Sequence, residues 1–237
     1  DEGSELIQNF EIKNFGDQVF GGLDLRRAFI YSSNTYFAAK TDQMGKEKLS
    51  KITDKYMFNQ TYPFDLEKYD SVIPYKELNK VDLAMTGFGY GKTQTTPLHM
   101  AMVTSAIANE GKMMQPYMVS KILDKDGKRV YKAKNKVLSE VTNKENAEAI
   151  RDMMVGVVNE GTGTGAYING IQVAGKTGTA DKENGFIDAW FVGFAPAYDP
   201  KIAVAIVIED AADTGGITAA PIARGLMLDI FNQVNLD

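Results

Sequence analysis

Residues 170–177, Gly-Ile-Gln-Val-Ala-Gly-Lys-Thr, have two incompatible interpretations. They fit the pattern G-x-x-x-x-G-K-[ST], in which a glycine-rich loop and a lysine hold the phosphates of a nucleotide. Such a loop lies between a strand and a helix, because the amides and the dipole of the helix N-terminus bind the phosphates. Here a glycine-rich turn precedes Gly170, residues 171–174 alternate like a strand, and no helical periodicity follows Thr177. The sequence therefore disfavours a nucleotide site.

The same residues suit a strand that flanks a cleft. Lys176 would present a fixed cation and Thr177 and Thr179 would present hydroxyls, while Gly178 would remove a side chain where a ligand approaches the backbone. A peptide could bind there by backbone addition, with its carboxylate on the lysine and the hydroxyls. An amide N–H just after Gly178 could stabilise a developing oxyanion. These residues taken alone are equally compatible with a purely structural edge strand whose lysine is solvated.

Composition limits the possible chemistry. The 237 residues, 44% hydrophobic and 24% charged, predict one large domain or one domain with an appendage. A net charge of −5 argues against a nucleic-acid partner, and the absence of cysteine excludes a thiol nucleophile and a zinc ribbon. With one histidine, His99, and no second ligand near it, a structural or surface histidine is expected rather than a triad or a metal site. We expect neither a metal nor a cofactor.

Two helices and a hairpin are indicated by local signals in the middle of the chain. A helix is expected after Thr95 or Thr96, with Pro97 in its first turn and Gly111 as its end. Thr142 and Glu145 form a capping-box pattern before a second helix that ends at Gly161. Asp126-Gly127 predicts the turn of a β-hairpin between them.

The C-terminal third predicts an antiparallel meander followed by a helix. Strands are expected over 171–180, 188–196 and 201–209, with short connections at Lys182–Gly185 and at Tyr198–Pro200. A last helix, with Thr218 as its cap, is expected to pack on the sheet. Its apolar stripe is Ile222, Leu226, Ile230 and Val234. The fold class is therefore α/β of the α+β type, an antiparallel sheet flanked by helices.

Taken together, these segments resemble the transpeptidase domain of class B penicillin-binding proteins. "LDLRRAFIYSSNTYFA" is similar to the family's S-x-N segment, "GFGYGKTQTTPLHMAM" to its G-x-G and TPL stretch, and "VAGKTGTA" to its K-T-G strand. The match covers nearly the whole chain in the family's order. It implies the serine β-lactamase and D,D-transpeptidase fold. Ser33, where β-lactamases of class A have aspartate, favours a transpeptidase.

The resemblance also implies roles for individual residues. Ser32 would relay a proton between the lysines of the site, and Asn34 would orient the substrate amide and a general-base lysine. Lys176, Thr177 and Thr179 would hold the substrate carboxylate, and the N–H of Thr179 would be an oxyanion donor. The implied ligand is the D-Ala-D-Ala end of a peptidoglycan stem peptide, or a β-lactam. A cap or turn that interrupts a helix would equally explain Ser32 and Asn34 in isolation.

The nucleophile motif of that family, S-x-x-K, is missing, because no serine of the chain is followed by lysine three positions later. The simplest interpretation is that residues 1–237 form one partial domain whose N-terminal segment, with the nucleophile, lies outside the chain. Alone, the chain should not react with penicillin and should fold poorly. The resemblance further implies that the domain lies on the extracytoplasmic face of a bacterial membrane, with any membrane anchor outside this chain. A non-catalytic β-lactam sensor or peptidoglycan-binding module stays open, as do the less favoured D,D-carboxypeptidase and β-lactamase.

Overall fold

The computed structural model describes residues 1–182 and 185–233, a mixture of helices and antiparallel strands. The α-helices are α1 (Leu25–Tyr31), α2 (Asn34–Met44), α3 (Lys46–Lys55), α4 (Lys80–Thr86), α5 (Pro97–Ala108), α6 (Lys144–Glu160) and α7 (Ala219–Gln233). The strands are β1 (Ser4–Ile7), β2 (Phe10–Lys13), β3 (Lys112–Met114), β4 (Lys121–Leu123), β5 (Arg129–Lys132), β6 (Val137–Glu140), β7 (Ala174–Asp181), β8 (Ile187–Ala195) and β9 (Ile202–Ala211). Within these ranges no helix is long and apolar enough to cross a bilayer.

The largest sheet of the described residues is the expected antiparallel meander, with strand order β7-β8-β9. The prediction of three strands is confirmed, although β7 begins at Ala174 rather than at Ile171. Ile171 instead pairs with Ile168 in an isolated bridge, which closes a turn before the strand. The connection predicted at Lys182–Gly185 lies partly outside the described residues. Because β8 is central, β7 lies at an edge of this sheet and leaves one side of its backbone open.

Helices cover both faces of the sheet. Phe191 and Phe194 of β8 are fully buried, and their odd spacing places them on opposite faces. Phe191 packs in an apolar cluster with Met227 of α7. Phe194 belongs to a second cluster with Ile107 of α5 and Met154 of α6. The sheet is therefore held between α7 on one side and the α5 and α6 pair on the other, which fixes the position of β7.

Helix α7 packs on the sheet as expected, but the predicted stripe is wrong. Ile222 and Leu226 are 46% and 42% exposed, whereas Ala223 and Met227 are fully buried against the sheet. The small side chain of Ala223 lets the helix approach the strands closely, and Met227 packs in the same buried cluster as Phe191. Val234 lies outside the described residues. Thr218 immediately precedes α7, and its hydroxyl donates a hydrogen bond to the carbonyl of Asp213.

The N-terminal cap of α6 also differs from the prediction. The helix begins at Lys144, and the side chain of Asn143, not of Thr142, accepts the N–H of Asn146. Asparagine is a stronger cap than threonine, and the helix starts one residue later than the Thr142 pattern requires. The cap of α5 is Thr96, as one of the two predicted possibilities, and it accepts the N–H of His99.

The remaining elements form smaller units around this centre. β1 and β2 make a short hairpin whose buried residues Ile7 and Ile12 pack against α2 and α4. β3 pairs with β6. β4 and β5 form the hairpin predicted at Asp126-Gly127. The segment between α3 and α4 is largely irregular, as its prolines and mixed charge indicate.

Candidate active site

A tight junction between α1 and α2 presents Ser32 and Asn34. Helix α1 ends at Tyr31, and Ser32 adopts the left-handed conformation, with φ of 58° and ψ of 47°. Ser33 then caps α2, since its hydroxyl accepts the N–H of Tyr36 at 3.2 Å. A left-handed residue at the end of a helix reverses the chain direction within one residue. Ser32, Ser33 and Asn34 thus form a sharp turn between the two helices, with Ser32 at its apex.

A buried polar network lies beneath this turn and was not anticipated from the sequence. Asn14, 4% exposed, accepts the N–H of Thr35 at 3.2 Å through its side-chain oxygen. Its amide nitrogen donates to the carboxylate of Asp1 at 2.9 Å. The same carboxylate accepts the hydroxyl of fully buried Ser33 at 2.5 Å. The hydrogen bonds between Asn14, Asp1 and Ser33 fix the backbone on both sides of Ser32.

Asn34 is turned toward the β1–β2 hairpin. Its side-chain nitrogen donates to the carbonyl of Lys13, at the end of β2, at 3.0 Å. The residue remains partly exposed and lines the same cavity as Ser32. This hydrogen bond fixes the orientation of the Asn34 side chain at the wall of the cavity.

Lys176 joins the edge strand to the turn. Its ammonium donates to the hydroxyl of Ser32 at 2.8 Å and to the carbonyl of Thr177 at 3.0 Å. The side chain forms no ion pair within residues 1–182 and 185–233. Part of the residue is accessible from the cavity, but its ammonium lies deep between the walls, and this burial lowers the pKa of Lys176 to about 8. The strand therefore holds a buried cation without a counter-charge.

Thr177, Gly178 and Thr179 continue along the same strand. The hydroxyl of Thr177 lies 2.6 Å from that of Thr162, in the glycine-rich turn before β7, and this partner was missed in the sequence. The hydroxyl of Thr179 accepts the N–H of Gly215 at 3.3 Å. Gly178 lies opposite Trp190 of β8 in the register. Every residue from Lys176 to Thr179 lines the cavity.

The cavity that these residues share has a volume of about 1070 Å³ and is open on one side. Ser32, Asn34, Lys176, Thr177, Gly178 and Thr179, the six residues predicted for the site, all line it. Its walls include several aromatic side chains, among them Phe29, Tyr90 and Trp190. A volume of this order accommodates a drug-sized ligand or a short peptide. Within the described residues, no group of three or more acidic, histidine or cysteine side chains could hold a metal ion.

The geometry excludes the phosphate-loop interpretation of residues 170–177. Lys176 and Thr177 are in the middle of β7, not at the start of a helix, and the next element is β8. Their backbone amides therefore belong to a strand and cannot form the helix N-terminus that a nucleotide phosphate needs.

His99 does not belong to this site. The residue is fully buried in α5, and its Nε2 donates to the carbonyl of Tyr56 at 2.7 Å, because a carbonyl can only accept. Its ring packs against Phe58 at 4.7 Å between centroids. Burial lowers the pKa of His99, so it is neutral at pH 7. The prediction of a structural histidine is confirmed.

Comparison with known proteins identifies relatives over nearly the whole chain. A family model described as penicillin binding protein transpeptidase domain matches residues 2–228. Stage V sporulation protein D of Bacillus subtilis is 36% identical over 222 residues, which are 86% of this chain and 33% of that protein. Peptidoglycan D,D-transpeptidase PbpA of Mycolicibacterium smegmatis is 33% identical over 225 residues, 90% of this chain and 45% of PbpA. The chain thus spans between a third and a half of these relatives.

Solved structures share the fold at high similarity. The D,D-transpeptidase domain of a peptidoglycan glycosyltransferase from Eggerthella lenta superimposes with a TM-score of 0.91 at 39% identity, over 98% of this chain and 59% of that one. Penicillin-binding protein A of Mycobacterium tuberculosis, solved as an imipenem acyl-enzyme complex, gives a TM-score of 0.86 at 31% identity. That match covers 93% of this chain and 51% of the other. The expected fold class is confirmed by these matches.

Proposed function

This chain belongs to the transpeptidase-domain family of penicillin-binding proteins, and we propose that it is the substrate-holding part of a peptidoglycan D,D-transpeptidase. The observation that carries the proposal is the 2.8 Å contact between Lys176 and Ser32. It brings the K-T-G strand and the S-x-N turn, two of the family's segments recognised in this sequence, to one point of one cavity.

The buried ammonium of Lys176 supports a ligand with a carboxylate. A buried cation without a counter-charge is unfavourable, and a carboxylate that enters the cavity removes part of that cost. The hydroxyls of Thr177 and Thr179 lie on the same strand and add hydrogen bonds to that carboxylate. The C-terminal carboxylate of a D-Ala-D-Ala stem peptide fits this requirement, as does the carboxylate of a β-lactam.

The reaction then follows from acyl transfer. A serine outside residues 1–237 attacks the carbonyl of the penultimate D-alanine, and D-alanine leaves after gaining a proton. The acyl group passes to an amine of a second stem peptide, which gives up a proton. Asn34 orients the substrate amide, Ser32 relays a proton between lysines, and the N–H of Thr179 donates to the oxyanion.

Open surfaces support the proposal that residues 1–237 are one part of a larger domain. Within the described residues, β9 pairs only with β8, and its second edge has no partner strand. Ile222 and Leu226 of α7 are also exposed. Additional strands and a helix from outside the chain would cover these surfaces. In this proposal the complete enzyme acts on the extracytoplasmic side of a bacterial membrane, attached by an anchor outside the chain.

Labelled penicillin tests the proposal. The protein at its natural length should keep the label after denaturation, because the acyl-enzyme bond is covalent, and residues 1–237 alone should not. Release of D-alanine from a pentapeptide, with and without an acceptor amine, separates a transpeptidase from a carboxypeptidase. If the natural-length protein binds penicillin only reversibly and releases no D-alanine, a β-lactam sensor or binding module replaces the enzyme. Covalent labelling of residues 1–237 alone would contradict the placement of the nucleophile.

A further inference from the structure

Residues 121–136, named here the basic hairpin, reverse the charge of the chain. The segment contains β4, β5 and the loop that follows them. The protein as a whole has a net charge of −5, whereas the basic hairpin alone has a net charge of +5. Its charged residues are Lys121, Lys125, Lys128, Arg129, Lys132, Lys134 and Lys136 against Asp124 and Asp126. Scattered lysines are common on a protein surface, but this concentration of positive charge in an acidic protein creates a local positive field.

The basic hairpin is exposed and its cations are unpaired. Every residue of β4 and β5 is exposed on both faces of the two-stranded ribbon. None of its lysines, nor Arg129, takes part in an ion pair among the described residues. Ile122 and Tyr131 lie opposite each other in the register and are 49% and 43% exposed. The ribbon therefore offers free cations beside a small apolar surface.

The base of the hairpin is held to the body of the protein. The carboxylate of Asp65 accepts the N–H groups of Met118 and Val119 at 2.6 and 2.9 Å, two residues before β4. These bonds lower the pKa of Asp65 and keep it ionised. The hairpin is thus a protruding element with an anchored base.

The types of its cations indicate the kind of partner. All but one are lysines, which act as flexible point charges rather than as planar bidentate groups. Lysine is depleted at the centres of protein–protein interfaces, which favour arginine and aromatic residues. An inserting membrane segment would present a continuous apolar face, whereas here charges alternate with apolar residues and two aspartates lie at the tip. Dispersed lysines around a small apolar surface suit a polymer with repeated negative charges.

We propose that the basic hairpin binds uncross-linked peptidoglycan through the carboxylates of its stem peptides. This inference rests on the proposed function, since each stem peptide ends in a carboxylate and a strand with many of them is a polyanion. Binding of the polymer outside the catalytic cavity would raise the local concentration of stem peptides at the cavity, as a second weak binding site does for any multivalent ligand. The acidic remainder of the chain would otherwise repel such a substrate.

Sedimentation with purified, teichoic-acid-free peptidoglycan tests this binding with the natural-length protein. The variant Lys121→Gln, Lys125→Gln, Lys132→Gln should bind roughly tenfold more weakly, because three exposed charge contacts are lost. The matched control is Lys48→Gln, Lys51→Gln, Lys55→Gln, on the exposed face of α3, which changes the net charge equally. The control should bind as the unmodified protein does. Binding should also fall steeply between about 0.15 M and 1 M salt.

A second measurement changes the ligand instead of the protein. The unmodified protein should no longer sediment with peptidoglycan whose carboxylates are amidated, and it should not sediment with vesicles of anionic lipid. Equal binding by the two triple variants, retention on amidated peptidoglycan, or preference for the vesicles would overturn the proposal. Covalent penicillin labelling should be the same in both variants. A failure of labelling in the unmodified protein would contradict the proposed enzyme, whereas the sedimentation result would still decide the role of the hairpin.

Discussion

The ammonium of Lys176 lies 2.8 Å from the hydroxyl of Ser32, although 144 positions of sequence separate them. The helices on both faces of the sheet position the lysine, and the left-handed turn between α1 and α2 positions the serine. Replacing Lys176 by methionine in the natural-length protein should reduce the rate of penicillin acylation by about 10²-fold or more, since the carboxylate loses its cation. Lys176→Arg keeps the charge and should retain more activity. Equal losses in both variants would show that the charge is not what matters.

The pH dependence of ligand binding should reveal the lowered pKa of Lys176, which is about 8. Only the protonated lysine attracts a carboxylate, so reversible β-lactam binding should weaken as the pH rises through about 8. An unperturbed lysine would keep its charge to above about pH 10. The measurement is the dissociation constant of the reversible complex from pH 6 to 10, with Lys176→Arg as the control that stays flat. A flat profile for the unmodified protein would contradict the lowered pKa.

The network under the S-x-N turn predicts a selective defect. Asn14→Ala leaves the buried N–H of Thr35 without this acceptor and removes one donor from the partly buried carboxylate of Asp1, which should reduce the free energy of unfolding by about 1–3 kcal/mol. Asn14→Asp should be more harmful, because it places a second carboxylate beside that of Asp1. The check is urea unfolding of the natural-length protein.

Its matched control is Asn135→Ala, an exposed asparagine that should change stability little. Acylation measured well below the unfolding midpoint adds a second readout, because a displaced Ser32 should slow acylation even where the protein is folded. Normal acylation by folded Asn14→Ala would show that the network stabilises the fold without positioning the turn.

The sequence predicted the parts of this site that depend on local patterns and motifs. Alternation identified the strands that contain Lys176 and Phe191, and the turn pair Asp126-Gly127 identified the hairpin. A cap or turn that interrupts a helix was one of the two interpretations of Ser32 and Asn34. Each of these features is determined by residues that are close together in the sequence, so a local pattern is enough to predict it.

What the sequence did not predict depends on tertiary contacts. Asn14 and Thr162 are polar residues in turns, and nothing near them in the chain shows that one supports Ser33 and the other bonds to Thr177. The buried face of α7 was missed because Ile222 and Leu226 are the larger side chains. Hydrophobicity ranks them above Ala223, but close packing against the sheet favours the smaller residue.

His99 should make the stability of the protein depend on pH. Burial, the largest cause, lowers its pKa in the folded state, while the unfolded chain has the ordinary value near 6.5. The unfolded state therefore takes up a proton that the folded state does not, so stability is complete above about pH 6.5 and is lost as the pH falls below it. Urea unfolding between pH 7.5 and 5 measures this slope. His99→Gln should be less stable at pH 7 but should have a smaller slope, and an unchanged slope would assign the effect to other groups.

Gly175 and Gly178 lie on the same strand, yet alanine should affect them differently. A Cβ at Gly175 would lie 2.3 Å from the ring of buried Phe191, which cannot move without disturbing the core. Gly175→Ala should therefore destabilise the protein by about 1–3 kcal/mol through overpacking. A Cβ at Gly178 would lie 3.1 Å from the Cβ of Trp190, a contact that a small shift relieves.

Gly178→Ala should consequently change the melting temperature less than Gly175→Ala does, but it adds a methyl group where the ligand approaches the strand. We expect a slower acylation at nearly normal stability for Gly178→Ala, and a lower melting temperature for Gly175→Ala. Thermal unfolding and penicillin acylation, both measured on the natural-length protein, separate the two effects. If Gly178→Ala acylates normally, the ligand does not lie against this part of β7, and the cavity wall formed by Trp190 becomes the better candidate for its position.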